Sequence, residues 1–437
     1  MIRILIILIF SSPLLAQQSL SVEQAIELGL EKNNSIKNAV LDLEYAKKQI
    51  KETVAIGLPK INGELNWQQF IEIPTTLVPA NMFDPNASED DFSELQFGTK
   101  HNATSTLSAS QLIFDGTYIV GLRASSTFKK LSEKSLELTK QQVEDSIAAM
   151  YYNVLVAEHR NKFLKTIADI HTDILQEITI RYEQGMVEDL DVDRMSLTLS
   201  NMKTQSENMN RITQMSYLML KLIIGIPIEQ ELVLSDSLSG LLSASEQIVI
   251  EEPVIENRIE YQLAQTNVRI NELDVRRYQS NYLPSIVAFG SYSKNAMRNE
   301  FNFDENGKWY PTQVVGLKAT MNIFDGFSLR SKIQKAKIKL EQSKNDLYLM
   351  KQSLSLDHLN AQSSFLTSLN NQKIKENNLE LAEKIYYKSM IKYKEGLISS
   401  IELSQAGAEY LEAYSENSQA IYSLLKAKTN YQRTLGK

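Results

Sequence analysis

The chain has 437 residues, a formal net charge of −7 and no cysteine. The absence of cysteine excludes disulfides, thiolate metal sites and cysteine nucleophiles, and an acidic chain without a basic run argues against a nucleic-acid partner. The four histidines lack the spacing of a metal-binding motif. We therefore expect no metal, no other cofactor and no catalytic residue, and the chain is not predicted to be an enzyme.

Residues 1–16 have the pattern of a signal peptide. Arg3 provides a positive start, residues 4–10 are apolar, and Ala16 is a plausible cleavage position. The apolar run is too short to cross a bilayer as a helix. We predict an exported protein whose mature chain begins near Gln17.

The rest of the chain is an internal duplication. Three landmarks occur twice in the same order: Leu58-Pro59 and Leu283-Pro284, Ile113–Gly116 (IFDG) and Ile323–Gly326 (IFDG), Arg181–Gly185 (RYEQG) and Lys392–Gly396 (KYKEG). This order predicts a first repeat at 17–225, a connection at 226–252 and a second repeat at 253–437. The wider spacing between the first two landmarks of the first half predicts an inserted loop at about 72–98, where Pro and Asp are frequent.

Each repeat is predicted to contain a helix, two strands, a long helix and a further helix. Ser21 and Gln24 form a capping box at the first helix, which is expected to run to about Gly57. The stretches 116–184 and 327–395 are nearly free of helix breakers and predict two long helices. The remaining short helices are expected at these positions: 188–222, 253–282 and 398–436. In the second long helix, a seven-residue repeat of a coiled coil is formed by Ile333, Leu340, Leu347, Leu354 and Ala361.

Four segments alternate between apolar and polar residues, which is the pattern of β-strands. They lie at 61–71, 102–113, 285–293 and 313–323. Strands of this length with one apolar face suit a transmembrane barrel, although a half-buried soluble sheet gives the same pattern. Four strands are too few to close a water-filled barrel, so strands that span a membrane would have to come from several chains.

In both repeats, Leu-Pro precedes a strand, IFDG stands between strand and helix, and Tyr-x-x-Gly stands between helices. This doubled order of elements resembles the TolC family of outer-membrane efflux proteins. The resemblance covers about Ser19 to Gly436. It implies a mainly α fold with a β-barrel part: a homotrimer with four transmembrane strands per protomer in the outer membrane and a long-helix α-barrel in the periplasm. Residues 226–252 would belong to an equatorial region around this tunnel. The implied partners are outer-membrane lipid, a periplasmic adaptor (membrane-fusion) protein and an inner-membrane pump.

Two glycines are expected to end the long helices. Gly185 and Gly396 stand where each long helix must reverse, and a glycine at this position adopts a left-handed conformation. The resemblance implies that these turns are the adaptor-docking tips. Helix termination accounts for the glycines whatever the function is, and the docking role would come in addition to it.

The turn regions also carry the candidate gate. Asp189, Asp191 and Asp193 follow Gly185, and Glu402 follows Gly396 at the same distance as Asp191 follows Gly185. Carboxylates at a helix start also favour the helix dipole, which is the simpler explanation. The resemblance implies instead an acidic tunnel entrance, with Tyr393 as gating tyrosine and Asp191 as its partner.

Two positions near the turns depart from the family pattern. Ile398 replaces a family arginine and Gln405 a family aspartate, so an ion-pair lock is not expected there. A link between Tyr393 and Asp191 remains open.

The two IFDG motifs are predicted to be architectural. Asp115 and Asp325 are expected to cap the long helices, with Gly116 and Gly326 beside them, at the barrel-to-helix joints. The function predicted from all these features is an outer-membrane channel-tunnel of a tripartite efflux or secretion system. The alternative is a secreted coiled-coil scaffold protein without a membrane barrel, which would not need amphipathic strands at matching places in both halves.

Overall fold

The computed structural model describes residues 18–83, 85–88, 90–246, 250–303 and 307–436. The predicted signal peptide at 1–16 lies outside the described residues. The chain divides into two compact units, and each is built from separate stretches of sequence. The first unit draws on Met1–Glu44, Lys130–Asn267 and Lys344–Lys437, and the second on Tyr45–Lys129 and Val268–Ser343.

The described residues are mainly helical. The helices are α1 (Val22–Lys32), α2 (Asn34–Ala55), α3 (Gly116–Glu183), α4 (Asp189–Ile224), α5 (Leu238–Glu246), α6 (Ile259–Ser280), α7 (Ser328–Lys394) and α8 (Ser400–Thr434). The strands are β1 (Gln18–Leu20), β2 (Lys60–Gln69), β3 (Thr75–Pro79), β4 (Phe92–Gln96), β5 (His101–Phe114), β6 (Leu232–Leu234), β7 (Ser285–Arg298) and β8 (Tyr310–Thr320). Both long helices and all four amphipathic strands therefore form where the sequence predicts them.

The first helix begins as predicted but is interrupted. The Ser21 side chain accepts a hydrogen bond from the Gln24 amide, and the Gln24 side chain accepts one from the Ser21 amide, which is the capping box. The expected continuous helix at 21–57 breaks at Asn33, whose backbone is extended. The Asn33 side chain donates to the carbonyl of Ile223 at 2.6 Å and accepts from the Ser35 amide at 2.7 Å. The break thus lets the Asn33 side chain bind a carbonyl at the end of α4, where the last carbonyls lack partners within their own helix.

The first unit has a hydrophobic core between α1, α3, α4 and the connection. Ala25, Ile147, Tyr151, Leu220 and Ile224 are completely buried there. The predicted equatorial connection contributes β6, which pairs in parallel with β1, and the helix α5. Burial of these side chains provides the main stabilisation of this region, at roughly 25 cal/mol per Å² of apolar surface.

The second unit contains an antiparallel sheet in the order β2-β5-β7-β8. β5 and β7 are its centre, and β2 and β8 are its edges. Every residue of β2 is exposed, as is all of β8 except Gly316, which is half-buried. Leu65 on one edge and Val315 on the other are 84% and 88% exposed, so no described residue covers either face of the edge strands.

The insertion differs from its prediction. Residues 72–98 were expected to form a loop, but β3 and β4 pair within it as an antiparallel hairpin. Their residues do not alternate cleanly and are separated by a long connection, which is why the sequence pattern does not reveal them. The expected strand at 313–323 also ends at Thr320, because the chain must turn towards the start of α7.

Candidate functional site at the helical turns

Both long helices end in the same backbone conformation. Gly185 and Gly396 each have φ of 75°, in the left-handed region. The Gly185 amide donates to Tyr182 and the Met186 amide to Arg181, which satisfies the last carbonyls of α3. The second turn repeats both bonds, from Gly396 to Tyr393 and from Leu397 to Lys392. Apart from the adjacent residues, no heavy atom of the described part of the chain lies within 4 Å of a Cβ built on Gly185 or Gly396, so both turns face open space.

Charged side chains join the ends of α3 and α7. The Arg181 guanidinium donates to the carbonyl of Lys394 at 2.7 Å and pairs with Glu177 at 2.7 Å. Glu177 also lies 3.2 Å from the Lys394 ammonium. These groups are partly exposed, so each ion pair is worth less than about 1 kcal/mol, but together they fix the two turns side by side. The sequence pattern does not reveal this contact, because Arg181 corresponds in the repeat to Lys392 and not to Lys394.

Asp191 also connects the two turns. Its Oδ1 accepts a hydrogen bond from the Ser400 hydroxyl, at the start of α8. Ser400 is buried and Asp191 is half-buried, so the bond is partly shielded from water. No sequence signal points to Ser400, since the neighbouring Ser399 has the signature of a cap and Ser400 has none.

Tyr393 lies near this bond but does not take part in it. Its hydroxyl is buried and has no hydrogen-bond partner in the part of the chain that the structure describes. Burial and then the nearby charge of Asp191 raise the pKa of the Tyr393 hydroxyl. The link between Tyr393 and Asp191 that the sequence leaves open is thus not formed in the single chain, and Ser400 takes its place.

Glu402 has different hydrogen-bond partners from Asp191, although the two residues hold equivalent positions in the repeats. It accepts hydrogen bonds from the Ser399 amide at 2.8 Å and the Ser399 hydroxyl at 3.1 Å, in a capping box at the start of α8. These bonds lower the pKa of Glu402. Asp189 and Asp193 are exposed in the first turns of α4, where their charges favour the helix dipole.

The two IFDG motifs form different joints. Asp115 accepts from the Tyr118 amide at 2.9 Å and Asp325 from the Leu329 amide at 2.7 Å, as expected of caps. Gly116 is the first residue of α3, where an added Cβ would lie 3.0 Å from Ser280, so the glycine allows a close approach. Gly326 instead has φ of 65° and open space around it.

No group of three or more metal-ligating side chains occurs within the described ranges. Among the helices that the structure describes, none is both long enough and apolar enough to cross a membrane.

Comparison with known sequences decides the family. The sequence signature of outer membrane efflux proteins matches residues 25–225 and 253–437. This chain belongs to the outer membrane efflux protein family. The family consists of channels and not of enzymes, and it places this protein in the outer membrane with periplasmic helices, as an efflux channel-tunnel. The predicted function is confirmed, and the scaffold alternative is set aside. None of the proteins with curated functions matches the chain.

Solved structures agree with the fold of this efflux protein. The Campylobacter jejuni CmeC outer membrane channel is 16% identical and has a TM-score of 0.74, over 95% of this chain and 85% of that one. The Vibrio cholerae outer membrane protein VceC is 13% identical with a TM-score of 0.70, over 95% and 96%. The open state of the Neisseria gonorrhoeae MtrE channel is 14% identical with a TM-score of 0.72, over 95% and 88%. At these identities the likeness concerns the fold alone.

Proposed function

We propose that three copies of this efflux channel form one duct, with a shared β-barrel built from the sheet of each copy. The observation that carries the proposal is the sheet β2-β5-β7-β8, whose two edge strands are exposed on both faces. Exposed edges offer unpaired backbone groups to any further strand. Because the edges belong to different strands, β2 of one copy can pair with β8 of the next until the ring closes. Three sheets of four strands give a barrel wide enough to hold water, whereas one sheet does not.

The chain's lack of cysteine gives this proposal a direct test. A cysteine is placed on each edge, at Leu65 and at one of the outward-facing positions 313, 315 or 317, because the register between copies has to be scanned. Oxidation in membranes should convert one of the double variants into covalent trimers and no larger species, while each single variant stays monomeric on a denaturing gel.

A matched control uses two cysteines inside one sheet. Ser108 on β5 faces Ser291 on β7, so that pair should give only an internal crosslink and a monomer. Covalent ladders beyond three copies, or no crosslink between copies for any register, would refute the closed trimer.

The turns at Gly185 and Gly396 are proposed as the adaptor-docking tips of this duct. Both glycines lie in the left-handed conformation next to open space, so a partner backbone can approach each of them closely. The clamp formed by Arg181, Glu177 and Lys394 holds the two turns together as one surface. A periplasmic adaptor and an inner-membrane pump are the partners that such a surface would serve, and a duct of this kind has no cofactor to bind.

The tunnel entrance is proposed to be controlled from the same region. Asp189, Asp191 and Asp193 from three copies would place carboxylates around one opening, which would favour cations. The bond between Asp191 and Ser400 supports a role in holding α4 to α8, because it joins helices from the two repeats. Tyr393 and Glu402 belong to this proposed gate by position, Tyr393 as a buried neighbour and Glu402 as a charged cap.

A further inference from the structure

The sheet of the second unit carries a pocket that the proposed duct does not account for. It has a volume of about 410 Å³ and is lined by eight residues. Six of these residues are apolar: Leu65 and Trp67 on β2, Ala103 on β5, and Phe301, Phe303 and Trp309 between β7 and β8. Trp67 and Trp309 are the two tryptophans of the whole chain. The pocket is therefore apolar and rich in aromatic side chains.

The pocket lies on the apolar face of the sheet. Residues that pair directly across neighbouring strands share a face, so the register places Trp67, Ala103 and Ala296 in one row. Val315 on β8 belongs to a further row on the same face, because its partner on β7 is an even number of residues from Ala296. Residues 62, 64, 66 and 68 of β2 are polar and point to the opposite face. In a membrane barrel, the face that carries the pocket would be the one that contacts lipid.

Contacts between rings fix the walls of the pocket. The Trp67 ring lies nearly parallel to the His101 ring, with 6.0 Å between centroids, and the Phe301 ring meets Trp67 edge-on at 5.4 Å. Phe303 meets Phe301 edge-on, also at 5.4 Å, and the Arg298 guanidinium lies 5.2 Å from the centroid of Phe303. Trp67 is nevertheless 51% exposed and Phe301 69% exposed. The rings are thus held in place by one another while much of their apolar surface stays open.

We propose that this pocket holds an acyl chain of a lipid of the outer membrane. The inference rests on the proposed barrel, because the apolar face of the sheet has to lie against lipid. An acyl chain needs no hydrogen bond, and the pocket offers few. Its two polar lining residues, Asn66 and Thr104, pair with each other across β2 and β5 and point their side chains to the opposite face. A sugar or a peptide would leave hydroxyl or amide groups unpaired there, which is unfavourable.

The shape of the pocket distinguishes this site from ordinary contact with lipid. A chain on the flat part of the sheet touches protein on one side, whereas a chain in the pocket touches the strands and the rings of the β7–β8 connection. More contacts give more dispersion energy, and walls that are already ordered reduce the entropy lost on binding. Aromatic side chains are also the residues that barrels place where acyl chains meet the polar surface of a bilayer. We therefore expect a lipid to be held here in preference to the rest of the face.

The test uses the fluorescence of the two native tryptophans. A phospholipid with brominated acyl chains, which quench tryptophan on contact, is titrated into the full chain in detergent micelles. Both tryptophans line the pocket, so the signal reports on this site alone. The reference is a variant with Trp67→Phe, Trp309→Phe and Leu317→Trp, whose single tryptophan lies on the flat apolar face at a position that is 74% exposed. The parent should reach half of its maximal quenching at a several-fold lower lipid fraction than the reference.

A matched pair of variants examines the pocket itself. Ala103→Phe adds a ring inside the pocket and should abolish the early quenching. The control is Ala109→Phe, on the same strand and the same face but outside the pocket, which should behave as the parent does. Thermal unfolding and gel filtration of each variant confirm that it is folded.

Several outcomes would overturn the proposal. Quenching of the parent and the reference at equal lipid fractions would show that the pocket does not select a lipid. Early quenching that survives Ala103→Phe would place the lipid outside the pocket. Quenching of the reference without any quenching of the native tryptophans would mean that something else, such as a neighbouring copy, fills the pocket, while the barrel stands. No quenching of either protein would refute the barrel as well, so the two failures can be told apart.

Discussion

Substitution of the glycines at the helical turns separates docking from folding. Tryptophan at Gly185 or Gly396 should reduce export and adaptor binding strongly, while trimers still form in the membrane. The structure supports this expectation because an added Cβ at either glycine lies more than 4 Å from every described heavy atom outside the adjacent residues. The bulky side chain would extend into the open space that the proposed partner has to occupy.

The cost to the fold can be worked out from a third glycine. Gly185, Gly396 and Gly225 all have left-handed backbones, with φ of 75°, 75° and 90°. A Cβ in this conformation costs about 1 kcal/mol. At Gly225 it would also lie 2.6 Å from the carbonyl oxygen of Lys32, a backbone atom that cannot move aside cheaply. We therefore expect alanine to cost about 1 kcal/mol at each turn and about 2–4 kcal/mol at Gly225.

Four measurements on the same variants distinguish these effects. Heat-modifiable migration on a denaturing gel reports trimers, and copurification reports the adaptor. Sensitivity of cells to toxic compounds reports export, and thermal unfolding of the alanine variants in detergent reports stability. Gly225→Ala is the control for a defect that comes from folding, since it should lower the unfolding temperature most.

Two results would refute this reasoning. Normal export and adaptor binding by both tryptophan variants would show that the turns only end the helices. Equal destabilisation by alanine at Gly185 and Gly225 would show that the space around the turns is not as open as the structure indicates.

Three further predictions concern other parts of the chain. An epitope tag near Asn86, in the insertion between β2 and β5, should be reached by antibody on intact cells, and labelling only after permeabilisation would contradict an extracellular position. Asp191→Asn with Glu402→Gln should lower cation selectivity and raise baseline conductance in planar bilayers. A glutamine at position 402 can still cap α8. Unchanged selectivity and conductance would therefore mean that these carboxylates face away from the tunnel. Burial lowers the pKa of His171 to about 4, so the folded state binds fewer protons than the unfolded state. The free energy of unfolding should fall as the pH is lowered from about 6.5 to about 4, by roughly 1.4 kcal/mol per pH unit at most. His171→Gln should flatten a plot of unfolding temperature against pH in this range.

Local patterns were sufficient to predict most of the fold. The absence of helix breakers predicts α3 and α7, the alternation of residues predicts the four strands of the sheet, and Ser21 with Gln24 predicts the start of α1. Each of these signals is contained within one element. The cap formed by Asp115 is local as well, since its partners are within three residues.

Features that depend on distant residues could not be predicted in this way. The break at Asn33 exists because its side chain reaches Ile223, a residue 190 positions away. The pairing of β1 with β6 involves strands of only three residues, too short for any pattern. At the candidate site, the bond between Asp191 and Ser400 joins residues 209 positions apart. Spacing could place Asp191 near a turn but could not identify its partner.

The duplication explains why equivalent residues now have different roles. The two IFDG motifs have the same sequence, yet Gly116 permits close packing in a helical conformation while Gly326 turns the chain in a left-handed one. Asp191 reaches across to the other repeat, whereas Glu402, at the matching position, caps its own helix. A ring of three chains would therefore alternate two kinds of turn and could not have true sixfold symmetry. The exposed Glu402 carboxylate is bound by the backbone of its own helix, whereas the Asp191 carboxylate joins α4 to α8. Of the two charges, the one at Asp191 is therefore the one whose loss would affect both the tunnel entrance and the ions that pass through it.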